Sequence, residues 1–166
     1  VNQFHKQWLG TVPWETVLTV NQALCQAQNT PHQPKEKACD EARQLWEKAI
    51  PQQMSLKEVL DVCRRCHELA PFNFNNGNTF AAIGKTLVED WLKRLPPVEA
   101  QIIRTTVAHY IAGQVGKKEL VQVLRHFETT WKTTDETTAA VPLPNKPAGH
   151  ASTASPKPAS ATSAGP

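Results

Sequence analysis

The sequence predicts an all-α protein: a compact bundle or orthogonal array of about six amphipathic helices, followed by a disordered Pro/Ala/Ser/Thr-rich C-terminal tail. Three observations carry this. Apolar residues recur every third or fourth position from Trp14 to Trp131, and strict two-residue alternation is almost absent. Prolines and capping residues divide that stretch at helix-length intervals. Beyond Lys132 the aromatics stop, and Val141 and Leu143 are the only large aliphatics. Such a segment cannot bury enough apolar surface to offset its ordering entropy.

Residues 1–12 precede the first helix as a flap or anchor, with Phe4, Trp8 and Leu9 as its apolar groups. Residues 13–132 form the helical domain and residues 133–166 the tail. Pro13 suits a first helical position, and Trp14, Val17, Leu18, Leu24 and Cys25 share one face. Pro34 opens the second helix, with Ala38, Ala42, Leu45, Trp46 and Ala49 inward. Pro51 ends it, because the residue before a proline avoids helical backbone. Ser55-Leu56-Lys57-Glu58 reads as a capping box that starts the third helix. Leu56, Val59, Leu60, Cys63, Cys66, His67 and Ala70 then line one stripe up to Pro71.

Asn76-Gly77 signals a turn, and Asn78 is expected to cap the fourth helix. Phe80, Ile83, Leu87, Val88, Trp91, Leu92 and Leu95 give it the best amphipathic stripe in the chain. Pro96 and Pro97 separate it from a fifth helix with Ile103, Val107, Tyr110, Ile111 and Val115 inward and Gly116 as C-terminal cap. Leu120, Val121, Leu124, Phe127 and Trp131 line a sixth.

Composition narrows the function classes. Lys and Arg total 18 and Asp and Glu 15, a net charge of +3 that neither requires nor forbids a nucleic-acid partner. No apolar run approaches the ~20 residues of a membrane helix, so no membrane association is expected. No charged-then-apolar signal segment opens the chain at Val1. Four cysteines are too few for a disulfide scaffold and fit a reducing compartment, so the expected location is cytoplasmic.

Four motifs bear on chemistry. Cys63-Arg64-Arg65-Cys66-His67 matches C-x-x-C-H, the pattern that attaches c-type haem through two thiols and one imidazole. The helical stripe already accounts for those three side chains as buried structural groups. Zinc would need Cys25 and Cys39 as well, perhaps with His32, and these stand alone on other helices. Gly84-Lys85-Thr86 ends like a phosphate-binding loop, but Thr79 stands where its first glycine belongs. Thr105, Thr106 and His109 lie a turn apart on the outer side of the fifth helix, with no orienting carboxylate. No enzyme, metal or cofactor is therefore expected.

Two regions remain as partner surfaces. Lys93, Arg94, Arg104, Lys117, Lys118 and Arg125 outnumber the two acids between them, Glu99 and Glu119. On one side of the bundle they would make a basic patch for phosphates or an acidic protein. The loop Phe72, Asn73, Phe74, Asn75 and Asn76 could read a peptide backbone or base edges through its amides. As a purely structural element, it would plug the core with both phenylalanines. The leading expectation is a non-catalytic protein–protein interaction module, a small subunit or adaptor of a larger complex. The alternatives are a nucleic-acid-associated subunit using the basic face and a haem or redox protein using Cys63, Cys66 and His67.

Overall fold

Six helices account for the secondary structure of the described residues, 5–139, in a computed structural model whose side chains are described as far as Thr129. They are α1 (Trp14–Ala27), α2 (Glu36–Ala49), α3 (Leu56–Leu69), α4 (Asn76–Leu92), α5 (Pro97–Ile111) and α6 (Lys117–Ala139). No strand forms among these residues. Two isolated antiparallel bridges, Lys6 with Met54 and Pro34 with Phe72, are the only extended pairings. Among the described residues, no helix is long and apolar enough to cross a membrane.

The helix starts follow local chemistry where a side chain is available to cap. At α3 the Ser55 hydroxyl accepts from the Glu58 amide, and the Glu58 carboxylate accepts from the Ser55 amide at 2.7 Å. Those bonds hold the Glu58 carboxyl below its usual range, the Ser55 backbone contributing most. Elsewhere the boundaries differ from expectation. Pro34 does not open α2; it lies in the bridge to Phe72, and the helix starts at Glu36. Asn75, not Asn78, is the N-cap of α4, in left-handed backbone with φ 62°. Helix α5 stops at Ile111, and Gly113 rather than Gly116 takes the left-handed turn, with φ 78°. Val115 therefore lies beyond the helix. Helix α6 runs through Ala139, into the segment expected to be tail; residues 140–166, with Val141 and Leu143, lie outside the described residues.

The core is built around aromatic rings. Trp46 is fully buried, edge-on to Trp14 at 6.3 Å and 6.0 Å from Phe80, while Phe72 stacks parallel to Trp14. The buried indoles keep their polar atoms satisfied: Trp46 Nε1 donates to the Val12 carbonyl and Trp8 Nε1 to that of Met54. Trp8 and Leu9 are 3% and 0% exposed, so residues 5–12 pack against the bundle; Phe4 lies outside the described residues. The backbone of the N-terminal segment is held by paired hydrogen bonds between Lys6 and Met54. A second strap joins Lys35 to Pro71 and Asn73 to Gln33, closing the opposite loop pair. Helix α4 packs most closely on α5, and α6 lies on α5 through Leu120, Leu124 and Phe127.

Candidate functional site

The C-x-x-C-H segment lies in the middle and last turn of α3. Cys63 and Cys66 are both 0% exposed inside the core, and the Cys66 thiol reaches the Ala42 carbonyl at 3.7 Å. Burial pushes the Cys66 thiol up to about 12 and raises Cys63 further, with the neighbouring Cys66 adding to the shift. Arg64 explains the charged middle of the motif. It donates to Glu68 and to the Val115 carbonyl and lies over the Tyr110 ring, tying α3 to the α5–α6 turn. Thiols sealed and protonated in this way cannot meet the vinyl edge of a porphyrin without unpacking α3 from α2. The residues present do not fit covalent haem. No three His, Cys, Asp or Glu side chains cluster as a metal site among the described residues.

The asparagine loop is mostly internal structure. Phe72 is buried, whereas Phe74 is 41% exposed, so only one of the two phenylalanines plugs the core. Asn76 uses both ends of its amide on the Phe72 backbone, Asn73 donates to Gln33 and Asn75 reaches the Cys25 sulfur. Beneath the loop, fully buried Asn21 donates to the Phe74 carbonyl and to Thr79 Oγ1. Its carbonyl oxygen lies 2.7 Å from His32 Nδ1 and takes the Cys25 thiol at 3.6 Å. The side-chain amides that could have read a partner are largely spent on the fold.

The basic residues do not form one patch. Lys93 and Arg94 end α4, and Lys117 and Lys118 begin α6. These sites adjoin opposite ends of α5, whose 15 residues span about 22 Å, more than twice the distance over which physiological salt screens charge. Lys93 pairs with Asp90 at 2.8 Å. Arg104 forks both oxygens of Glu89 at 3.0 and 2.7 Å, and that bond holds the Glu89 carboxyl below its usual range. Arg125 is exposed on α6 at the mouth of a groove with Ser55, Trp91 and Phe127.

Two concave features appear that the linear pattern did not single out. Between α5 and α6 lies an apolar groove of about 250 Å³, lined by Glu99, Ile102, Ile103, Gln122, Val123, His126 and Phe127. Beside it α5 exposes Val98 at 73% and Ile102 at 52%. The sequence does hold a signal for this: both residues fall off the Ala100–Ile103–Val107–Tyr110 stripe, so α5 carries more apolar surface than its inner face can bury. The second feature is a polar cleft of about 540 Å³ where the end of α3, the start of α4 and the end of α5 meet. It brings together His67, Asn75 and Asn76 with His109 and Gln114. His109 is exposed beside Thr105, but Thr106 Oγ1 donates back to the Ile102 carbonyl, so no hydroxyl–imidazole pair is built.

Family models, curated proteins and solved structures yield no match to this chain.

Proposed function

We propose that the protein is a non-catalytic helical docking module whose partner face is the α5–α6 groove. The observation that carries this reading is the exposure of Val98 and Ile102 beside a groove floored by Ile103, Val123 and Phe127. Paired exposed aliphatics next to an apolar depression are the usual mark of a surface that is covered in a complex. Glu99 stands at the rim in the first turn of α5, without an ion-pair partner among the described residues. The complementary partner is an amphipathic segment that inserts one aliphatic or aromatic side chain and places a Lys or Arg against Glu99. A nucleic-acid partner is less well supported, because Lys93 and Arg104 are ion-paired and the basic clusters are split between the ends of α5.

A photo-crosslinking side chain at Ile102 tests the reading in extracts of the source cell. The expected result is one discrete protein adduct, absent when the crosslinker replaces exposed Gln44 on α2 and lost in the Val98→Glu variant. Equal adduct patterns from both positions, or insensitivity to Val98→Glu, would refute it.

A further inference from the structure

The cleft between the ends of α3, α4 and α5 is a large polar concavity that the docking reading does not use. We propose that it binds an oxyanion, the phosphate or carboxylate group of a small ligand, between His67 and His109.

Its lining is chemically one-sided. None of the lining residues is acidic, and Ala81, Ala108 and Ala112 leave the space open where larger side chains would fill it. His67 on α3, His109 on α5 and Gln114 in the turn after α5 converge on the cleft, and none of the three side chains makes a hydrogen bond among the described residues. The first turn of α4 forms another wall. Its cap residue Asn75 spends its side-chain oxygen on the Asn78 amide group rather than on the helix backbone, so the opening backbone amides, which have no intrahelical acceptors, have no side-chain cap.

An independent observation comes from the histidine. His67 Nδ1 is shut off from solvent with no hydrogen-bond partner, a costly state for a buried polar atom. A Cβ placed on Gly77 would lie 3.8 Å from this nitrogen, so the buried side of the ring rests against the first turn of α4. The partial positive charge of that helix end favours a lone pair on Nδ1. The proton of the neutral ring then belongs on Nε2, the nitrogen that is not buried, where it is a donor to the cleft. Imidazole donors, a carboxamide and helix amides with no competing carboxylate make a set of donors suited to oxyanion oxygens.

Gly77 supplies a clean probe. A methyl there meets His67 Cε1 at 3.4 Å, an ordinary contact, so Gly77→Ala folds while adding a methyl to the cleft wall formed by the first turn of α4. The experiment titrates the full chain with inorganic phosphate and, separately, with acetate at matched ionic strength, and follows the histidine Cε1–H and backbone amide resonances by NMR. Saturable shifts at His67, His109 and Gly77 with a Kd at or below about 1 mM for either anion are expected, weakened at least about tenfold in Gly77→Ala and His109→Gln. Saturation by phosphate alone identifies a phosphoryl ligand, and by acetate alone a carboxylate. Linear shifts with both anions, shifts centred on His5, His32 or His126, or undiminished binding in a folded Gly77→Ala variant would each overturn the proposal.

Discussion

Replacing Gly84 with alanine should destabilise the protein, although the same change at an exposed helical site would stabilise it. Gly84 is buried in the middle of α4, where that helix meets α3 and α5. A Cβ there falls far inside van der Waals contact with Ile111 Cδ1 and lies 3.3 Å from Val107 Cγ1 and 3.5 Å from Leu60 Cδ2. Ile111, Val107 and Leu60 are each 0% exposed, so the Ile111 methyl has no solvent to move into. Helix propensity favours alanine by about 1 kcal/mol. Forcing an extra methyl into a close-packed core costs about 1–3 kcal/mol, and a direct overlap at a fully buried site belongs at the upper end. The net expectation is a loss of about 1–2 kcal/mol.

Ile111→Val separates this cause from others, because it removes the overlapping Cδ1. Alone it should cost about 0.5–1.5 kcal/mol for a buried methyl. In the Gly84→Ala/Ile111→Val double variant the new methyl occupies the vacated space, so the costs should fall short of their sum by at least about 1 kcal/mol. Urea unfolding followed by tryptophan fluorescence and by far-UV circular dichroism supplies the cycle. A Gly84→Ala protein as stable as the parent, or strict additivity in the double variant, would refute the close-approach explanation. Either would reopen the question of why glycine stands at this buried position of α4.

Other expectations follow from buried polar groups. Asn21→Ala should cost about 2–3 kcal/mol by stranding the Thr79 hydroxyl and the Phe74 carbonyl, and should accelerate amide exchange across residues 74–79. Tyr110 is the sole tyrosine; burial first, and its hydrogen bond to Asp61 second, push its phenol up to about 12. Its stabilising effect is therefore complete below the ordinary phenol value near ~10 and lost as pH rises from there towards 12, while absorbance titration should show a midpoint near ~10 in urea. Equal midpoints in buffer and urea would contradict this. Alkylation of the native protein followed by mass mapping should modify half-buried Cys39 first, with Cys25, Cys63 and Cys66 reacting only as the fold opens; rapid native labelling of Cys63 would contradict the packing of α3.

The helices were legible because burial imposes a period. Val17, Trp46, Leu60, Val88, Val107 and Leu120 each fall on the stripe that spacing marks out, and each is buried. The boundaries were less legible because several residues satisfy the same local rule. Asn75 and Asn78 satisfy the same local capping rule; the fold uses Asn75, whose side chain also reaches Cys25, 50 residues away. Gly113 and Gly116 both tolerate a left-handed turn, and the backbone closes at the first. The sites were legible only in part for the same reason. Chain order places Lys93 near Lys117 in the charge count, yet an intervening antiparallel helix carries them apart. His67, Gly77 and His109 meet only when three helix ends converge, and no local pattern encodes that.

The placement of Phe127 links the exposed face to the interior. It is 3% exposed, floors the α5–α6 groove and also borders the neighbouring groove beside Arg125. Its ring stacks on Trp91 at 5.8 Å, and Trp91 meets Trp8 edge-on at 4.8 Å. A row of three aromatic rings therefore runs from the groove floor on α6, across α4, to the N-terminal segment. Helix α6 leans on α5 with a groove on either side of it. A side chain inserted against Phe127 presses on a ring whose other face is already committed to Trp91. The N-terminal segment is fixed at the far end by the Trp8–Met54 bond and the Lys6–Met54 bridge, so any shift must be taken up by the row itself. A side chain seated in the proposed docking groove would thus press on a ring row that ends at the buried Trp8 of the N-terminal segment.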